Sequence, residues 1–185
     1  MAFVVVLDAC VLFPASLRDT LLRAAQADLY RLQLTEEILE EVRRNLVKKT
    51  MTEYRAQRLI STLRENFHDS LISQHRQLIE SMPTNEKDRH VLAAAVACRA
   101  QVIVTFNLKD FPADLLAPFE VEAQSPDVFL THLHHLDSQS MPHIIVEQAH
   151  NLHNPPRSVA DILKTLEQHA PIFVSLMRNI PGLSE

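Results

Sequence analysis

The chain has 185 residues, 46% of them hydrophobic and 22% charged, a composition typical of one globular domain with at most an appended segment. Its formal net charge of −5 provides no general attraction to nucleic acid or anionic lipid, although a local basic rim is compatible with it. Gly182 is the single glycine. This count excludes the glycine-rich motifs of P-loop NTPases, Rossmann dehydrogenases and α/β hydrolases.

The two cysteines and the N-terminus indicate a cytoplasmic protein. Cys10 and Cys98 belong to no paired motif, so we expect small buried thiols in a reducing compartment, with Cys10 in the core and outside the chemistry. The first apolar run has no Lys or Arg before it and is cut short by Asp8, which argues against a signal peptide. No apolar stretch approaches the length that spans a membrane.

The N-terminal part of the chain predicts strands alternating with helices. Residues 2–7 are continuously apolar and β-branched, which is typical of a central parallel strand. Residues 16–27 have helical spacing, and residues 29–34 alternate as a second strand. Thr35 is a good N-cap for a helix over residues 36–49.

The middle of the chain continues this alternation. Residues 52–80 predict one or two amphipathic helices, and a break at residues 83–85 precedes a helix over residues 86–100. Residues 101–106 form a second β-branched apolar run, and residues 119–123 predict a short strand. The pattern predicts an α/β fold with a small parallel sheet flanked by helices.

The C-terminal part has a different pattern, with no further strand. Residues 127–136, 142–153 and 158–179 predict helices separated by prolines. We therefore expect a domain over residues 1–127 and an all-α extension over residues 128–185.

Four acidic residues occupy positions that suggest a shared site. Asp8 ends a buried strand. Burying an isolated carboxylate there costs several kcal/mol, about as much free energy as burial of one hydrophobic side chain contributes. Glu41 lies at the edge of a buried helical stripe, Asp88 in the first turn of a helix, and Asp110 after the second apolar strand. Each of these last three also has an ordinary explanation, as a helix-edge charge, an N-terminal helix charge and a turn former. Converging carboxylates would need a compensating cation, and oxygen ligands suit Mg²⁺ or Mn²⁺.

Several segments carry a resemblance to a known family. They are VVVLDACVLFPASLRD, TEEILEEVRRNL, KDRHVLAAAVA and VIVTFNLKDFP, in that order, with SPDVFL closing the domain. The chain resembles the PIN-domain family, and in particular the VapC-type ribonuclease toxins of bacterial toxin–antitoxin pairs. The tail containing NLHNPPRSVADIL is similar to the helical extension of one subgroup.

The resemblance implies a function and a set of site residues. It implies an endoribonuclease that depends on Mg²⁺, with Mn²⁺ as an alternative metal. Such an enzyme would hydrolyse RNA phosphodiesters with a metal-activated water, and a small antitoxin would inhibit it. Its metal ligands and catalytic acids would be Asp8, Glu41, Asp88 and Asp110, with Asn107 as an accessory polar residue. The family often has a further acid before Asp88, where this chain has Thr84-Asn85-Glu86, so the number of metals stays open, as does the choice between Glu41 and Glu40.

Basic side chains near the proposed acids are candidates for RNA contacts. These candidates are Arg43, Arg44, Lys87, Arg89 and Lys109, with Lys48 and Lys49 as further members. Phosphate contacts of this kind position a strand without selecting its sequence. The same residues also fit ordinary solvated charges or contacts to an acidic partner.

A function from another class is a catalytically silent PIN-like module that binds other proteins. It predicts partner binding without metal-dependent cleavage, but it gives no reason to retain four mutually repelling acids. A haloacid-dehalogenase-type phosphatase is rejected, because Cys10 stands where its second Asp is needed. The apolar face of the tail could cover the domain, bind the antitoxin or form a homodimer.

Overall fold

Four parallel strands form the sheet in a computed structural model that describes residues 3–183. The strands are β1 (Val4–Leu7), β2 (Arg31–Gln33), β3 (Val102–Val104) and β4 (Glu122–Gln124), in the spatial order β2-β1-β3-β4. Because the chain first adds β2 on one side of β1 and then β3 on the other, the strand order reverses between β1 and β3. The carboxyl ends of strands at such a point form a binding crevice. The predicted α/β fold with a small parallel sheet is confirmed.

The chain divides into two compact units. The first consists of the described residues up to Phe13 together with Arg31–Gln124, and the second of Pro14–Tyr30 together with the described residues from Ser125 onward. The domain boundary that the sequence suggests between residues 127 and 128 stays a prediction. Residues 14–30, which the sequence places in the N-terminal domain, belong to the second unit.

The first unit surrounds the sheet with five α-helices in the described residues. They are α1 (Ala9–Leu12), α3 (Glu36–Lys49), α4 (Glu53–Asn66), α5 (Arg89–Cys98) and α6 (Ala113–Leu116); α2 (Ala15–Gln26) belongs to the second unit. Thr35 caps α3 as predicted, since its hydroxyl oxygen accepts a hydrogen bond from the Ile38 amide at 3.1 Å. The buried face of α3 consists of Ile38, Leu39, Val42 and Leu46.

The structure corrects the predicted helices over residues 52–80. After α4 the chain continues through two 3₁₀ segments, His68–Ser70 and Gln74–Ser81. The backbone between these two segments hydrogen-bonds to the residue after β2. The Leu34 amide donates to the Ser70 carbonyl at 2.8 Å, and the Ile72 amide donates to the Leu34 carbonyl at 3.0 Å. Residues hydrogen-bonded to the end of β2 cannot also continue a helix.

Two further boundaries differ from the prediction. Glu86–Asp88 is a 3₁₀ turn, so the α-helix begins only at Arg89, and it ends at Cys98 because the next residue, Arg99, is left-handed with a φ of 53°. The strand predicted over residues 119–123 begins at Glu122 instead, because a 3₁₀ turn around Pro118 occupies the preceding residues.

The second unit is entirely helical in its described part and contains α2, α7 (Pro126–Leu136), α8 (Ser140–His150), α9 (Val159–Leu166) and α10 (Pro171–Arg178). The segment 158–179 thus forms two helices where the sequence predicted one. Ser158 and Asp161 form a reciprocal capping box at the start of α9, and α10 begins at Pro171, which has no N–H to continue a helix. No helix among residues 3–183 has both the length and the apolar character needed to cross a bilayer.

Candidate active site

An open cleft of about 1260 Å³ lies in the first unit, where β1 and β3 end. Asp8, Glu41, Asp88 and Asn107, four of the site residues predicted from sequence, line it. Asp110 does not line the cleft, but it forms an ion pair with Lys87, which does. The parallel strand ends and the helices α3 and α5 therefore bring all the predicted acids into one neighbourhood.

Asp8 is held by the ends of both central strands. Its backbone amide donates to the Val104 carbonyl at 3.1 Å, which continues the β1–β3 pairing, and the whole residue is only 5% exposed. The Thr105 hydroxyl donates to Asp8 Oδ2 at 2.7 Å, and the Asn107 amide donates to Thr105 Oγ1 at 3.0 Å. The buried Thr105 thus links the Asp8 carboxylate to the loop that carries Asn107.

Cys10 is a further neighbour of Asp8, half-buried where the sequence predicted a core position, and its place outside the chemistry stays a prediction. It lines the cleft, and its thiol donates to Asp8 Oδ2 at 3.1 Å. Burial, together with the negative charge of Asp8, raises the pKa of the Cys10 thiol to about 12, so the thiol remains protonated and acts as a donor. Sequence reasoning missed Thr105 and Cys10 as partners of Asp8; a hydroxyl at the end of an apolar strand is the signal that would have found Thr105.

Asp88 is the acid with the most unfavourable surroundings. Burial raises its pKa first of all; Lys87 opposes this effect, and the charges of Asp110 and Asp8 add to it. Its Oδ2 atom is buried and accepts no hydrogen bond from the described residues. Lys87 Nζ lies 3.6 Å from that atom and 3.2 Å from Asp110 Oδ2.

Asp110 follows β3 in a short 3₁₀ turn, Leu108–Asp110. Both of its carboxylate oxygens have partners: Asn85 Nδ2 donates to Oδ1 at 3.3 Å, and Lys87 donates to Oδ2. Asn85 therefore does not cap the following 3₁₀ turn with its side chain. The loop before α5 instead reaches across to the loop after β3.

Glu41 and Glu40 have different partners. Glu41 Oε2 lies 3.5 Å from His90 Nε2, and the hydrogen bond from His90, with smaller contributions from Arg44 and Lys87, holds the pKa of Glu41 below its usual value. Glu40 is bound instead by Arg43, whose Nη2 donates to Oε1 at 2.6 Å. The Glu41 carboxylate is therefore associated with the helix that carries Asp88, whereas that of Glu40 is engaged by a cation of its own helix.

The basic candidates do not all face the cleft. Arg44, Lys48 and Lys87 line it, and so does Arg76, which sequence reasoning missed. Arg43 pairs with Glu40 and Glu53, and Arg89 pairs with Glu80. Lys109 forms no ion pair with any acid in the described part of the chain.

A second group of side chains that the sequence did not indicate lies along the same cleft. Glu37 lines it, although this residue is not part of the buried face of α3. The fully buried His75 places Nε2 at 3.1 Å from Glu37 Oε2, and Arg76 Nε donates to Oε1 at 2.9 Å. Acids thus extend along α3 beyond the proposed metal ligands.

The donor set fits a hard divalent cation, although its side chains are not arranged around one. Within residues 3–183 no group of three or more His, Cys, Asp or Glu side chains has the geometry to hold a metal ion. The donors are nevertheless carboxylate oxygens, the ligands that Mg²⁺ and Mn²⁺ prefer. The buried Asp88 Oδ2 without a hydrogen-bond partner is the kind of atom that a cation would satisfy.

Comparison with known families assigns the two parts of the chain. A family model described as "PIN domain" matches residues 4–109, which is more than half of the chain. The chain belongs to the PIN-domain family. A second model, described as "VapC50 C-terminal domain", matches residues 126–179, the segment that contains α7 to α10 of this PIN-domain protein. The resemblance stated from the sequence, including the C-terminal extension, is confirmed.

The chain is also similar to two individual proteins. The PIN-domain chain is 39% identical over 106 residues to the Mycobacterium tuberculosis protein described as "Putative ribonuclease VapC50", a match that covers 57% of this chain and 63% of the relative. The chain therefore spans less than two thirds of that relative's length. A solved structure of VapBC-1 from nontypeable Haemophilus influenzae matches with a TM-score of 0.47 and 16% identity over 66% of this chain and 97% of that one.

Proposed function

We propose that this PIN-domain protein is a Mg²⁺-dependent endoribonuclease that acts as the toxin of a type II toxin–antitoxin pair and hydrolyses RNA phosphodiesters. The observation that carries the proposal is the buried Asp88 Oδ2, which accepts no hydrogen bond from the described residues, in an aspartate that lines the cleft and whose pKa the charges of Asp110 and Asp8 help to raise. Such an arrangement is costly for folding, and it becomes useful when a cation binds.

The acids would have defined roles in this reaction. Asp8, Asp88 and Asp110 would hold the metal, and Glu41 would hold it or orient a water beside it. A bound Mg²⁺ supplies a water of lowered pKa and neutralises charge on the phosphodiester. Thr105 and Cys10 hold the Asp8 carboxylate in its orientation, since both donate to the same carboxylate oxygen. Asn107 lines the cleft, where its amide could contact a phosphate oxygen.

The cleft also offers groups that suit single-stranded RNA. Arg44, Lys48 and Arg76 provide positive charge along its lining, despite the negative charge of the whole chain. Phe106 and Leu108, on either side of Asn107, are 39% and 43% exposed. An exposed aromatic ring beside the acids is suited to stacking on a base next to the cleaved bond.

The biological setting is part of the same proposal. The mycobacterial relative is named as a VapC ribonuclease, and the family match of residues 126–179 extends the likeness to the helical tail. On this basis we propose a small antitoxin as the partner of this chain, the cytoplasm as its location, and a homodimer as its assembly.

One observation favours the alternative, a catalytically silent PIN-like interaction module. The described side chains hold no preassembled group of three metal ligands. A silent module would fold and bind its partner, but it would neither bind divalent cations at the cleft nor cleave RNA.

RNA cleavage by the purified chain tests the proposal against this alternative. We expect cleavage of a single-stranded RNA mixture with Mg²⁺ or Mn²⁺, none with a chelator, and a loss on the order of 10³-fold in D8N and D88N. Asp114→Asn, which makes the same substitution at an exposed position on α6, is the matched control and should retain full activity. Circular dichroism and thermal unfolding verify that each variant is folded. Undiminished cleavage by the D8N/D88N double variant would contradict the proposal.

A further inference from the structure

We infer that Lys87 is a built-in counter-ion of the acidic site: without metal it lies between Asp88 and Asp110, and it must leave them when a divalent cation binds. The inference rests on the proposed metal site, and it concerns a residue that the sequence suggested only as an RNA contact. It assigns Lys87 a second role, as a competitor of the metal.

The geometry places the ammonium group where a cation is needed. Lys87 Nζ lies 3.2 Å from Asp110 Oδ2 and 3.6 Å from Asp88 Oδ2. Asp88 Oδ2 is the buried oxygen that accepts no hydrogen bond from any described residue. The Lys87 ammonium is therefore the positive charge that compensates this oxygen in the absence of metal.

A divalent cation and the ammonium cannot share this position. Two positive groups within a few ångströms of the same carboxylates repel each other strongly. A metal ion that binds Asp88 and Asp110 must therefore displace Lys87, and the two compete for the same oxygens. The absence of a ready three-ligand group among the described side chains agrees with a site arranged around an ammonium group.

Lys87 is free to move when the metal arrives. Its side chain is 67% exposed, whereas those of Asp88 and Asp110 are only 10% and 11% exposed. The carboxylates are thus fixed by packing, while the lysine extends into solvent from the 3₁₀ turn Glu86–Asp88. Ion pairs this exposed are weak, so the metal can displace the ammonium at a modest cost. The released lysine then stands at the rim of the cleft, where it can contact an RNA phosphate.

The chain contains a matched control for this idea. Lys109 precedes Asp110 directly, carries the same charge, and forms no ion pair with any acid in the described part of the chain. Removing either lysine changes the net charge by the same amount, and each lysine lies next to one of the two aspartates in the sequence. Only the removal of Lys87 takes away the competing ammonium group.

Metal titration of the full-length chain tests the inference without any measurement of cleavage. Mn²⁺ binding to the chelator-treated protein is measured by electron paramagnetic resonance for wild type, K87Q, K87R and K109Q. We expect K87Q to bind Mn²⁺ about fivefold more tightly than wild type, and K109Q to change by less than about twofold. K87R retains the positive charge and should bind Mn²⁺ about as wild type does.

Thermal unfolding gives a second measurement that also verifies folding. Without metal, K87Q should unfold at a lower temperature than wild type, because Asp88 and Asp110 lose their counter-ion. With saturating Mn²⁺ that difference should disappear or reverse. K109Q should show no such dependence on metal.

The outcomes separate this inference from the proposed function. Equal gains in Mn²⁺ affinity for K87Q and K109Q would show an effect of net charge alone and would overturn the inference. Unchanged or weaker binding by K87Q, with normal binding by wild type, would overturn the inference and leave the metal site intact. No Mn²⁺ binding by either wild type or K87Q would overturn the inference together with the proposed metal site.

Discussion

A buried cluster between α2 and α8 in the second unit differs from the buried carboxylates of the first unit. In the second unit the Thr20 hydroxyl donates to Gln148 Oε1 at 2.7 Å, and Gln148 Nε2 donates to the Ser16 carbonyl at 3.0 Å. Both side chains are neutral, almost fully buried and hydrogen-bonded, which is what a structural contact between α2 and α8 requires. In the first unit the buried polar residues include two carboxylates, and one of them, Asp88, retains an oxygen without a hydrogen bond.

This difference helps to separate structural from functional polar groups. A satisfied neutral cluster stabilises one arrangement of helices and needs nothing from outside. A buried charge that lacks a partner reduces stability, and it is retained where a ligand supplies what is missing. Substitutions in the two units should therefore have opposite consequences for stability and for activity.

The largest expected effect is a loss of RNA cleavage when Asp88 of the first unit is replaced. D88N should lower metal-dependent RNA cleavage on the order of 10³-fold while the protein remains at least as stable as wild type, since an amide carries no charge to desolvate. Initial cleavage rates and thermal unfolding of the same preparations measure both quantities. A stable D88N protein with wild-type cleavage would show that the unpartnered carboxylate has no functional role.

The second unit should show the reverse. Q148A removes the buried side chain that accepts from the Thr20 hydroxyl and donates to the Ser16 carbonyl, which then keep only the 3.0 Å side-chain hydrogen bond from Thr20 to Ser16. We therefore expect a loss of about 2 kcal/mol in the free energy of unfolding. Urea denaturation measures this loss, and cleavage per folded molecule should stay near the wild-type rate. Gln139→Ala, at the exposed position before α8 and outside the cluster, is the control. A loss in Q148A no larger than in Q139A would mean that the buried cluster contributes little.

Thr105 sharpens the comparison, because it is a hydrogen-bonded neutral residue that belongs to the first unit. T105V removes the 2.7 Å hydrogen bond to Asp8 but keeps the shape of the side chain, and we expect metal affinity to fall about tenfold. T105S, which retains the hydroxyl, should restore most of that affinity. If T105V and T105S bind Mn²⁺ equally well, Thr105 has only a packing role.

The sequence was sufficient for those parts of the site that depend on local pattern. The apolar runs of β1 and β3 located both central strands, and the cost of burying Asp8 indicated a site where they end. The contacts of α2 within the second unit could not be foreseen, because they join residues more than 100 positions apart, such as Thr20 and Gln148. The position of Lys87 between two aspartates was equally hidden, since it depends on how separate loops approach each other.

The smallest predicted effect concerns two acids of the first unit whose pKa values shift in opposite directions. The pKa of Asp88 is raised above 3.8 by burial, so the folded state favours its protonated form, and its ionisation destabilises the fold as pH rises through the shifted pKa. The pKa of Glu41 is lowered below 4.5, chiefly by the hydrogen bond from His90. Its ionised form therefore stabilises the fold above pH 4.5, and this contribution is lost as pH falls through the lowered pKa.

Substituting each acid should therefore give stability differences of opposite sign. At pH 7 without metal we expect D88N to unfold at a higher temperature than wild type and E41Q at a lower one. The corresponding changes in the free energy of unfolding should each be less than about 1 kcal/mol, because solvent screens both groups. Both differences should shrink as pH approaches the pKa of each group, and thermal unfolding between pH 3.5 and 7 in a chelating buffer follows them. Saturating Mn²⁺ should reverse the sign of the difference between D88N and wild type, since wild type then gains the stabilisation of a bound ligand that D88N has lost. A D88N advantage that persists unchanged with Mn²⁺ would mean that the carboxylate is a buried defect of the fold and not a ligand.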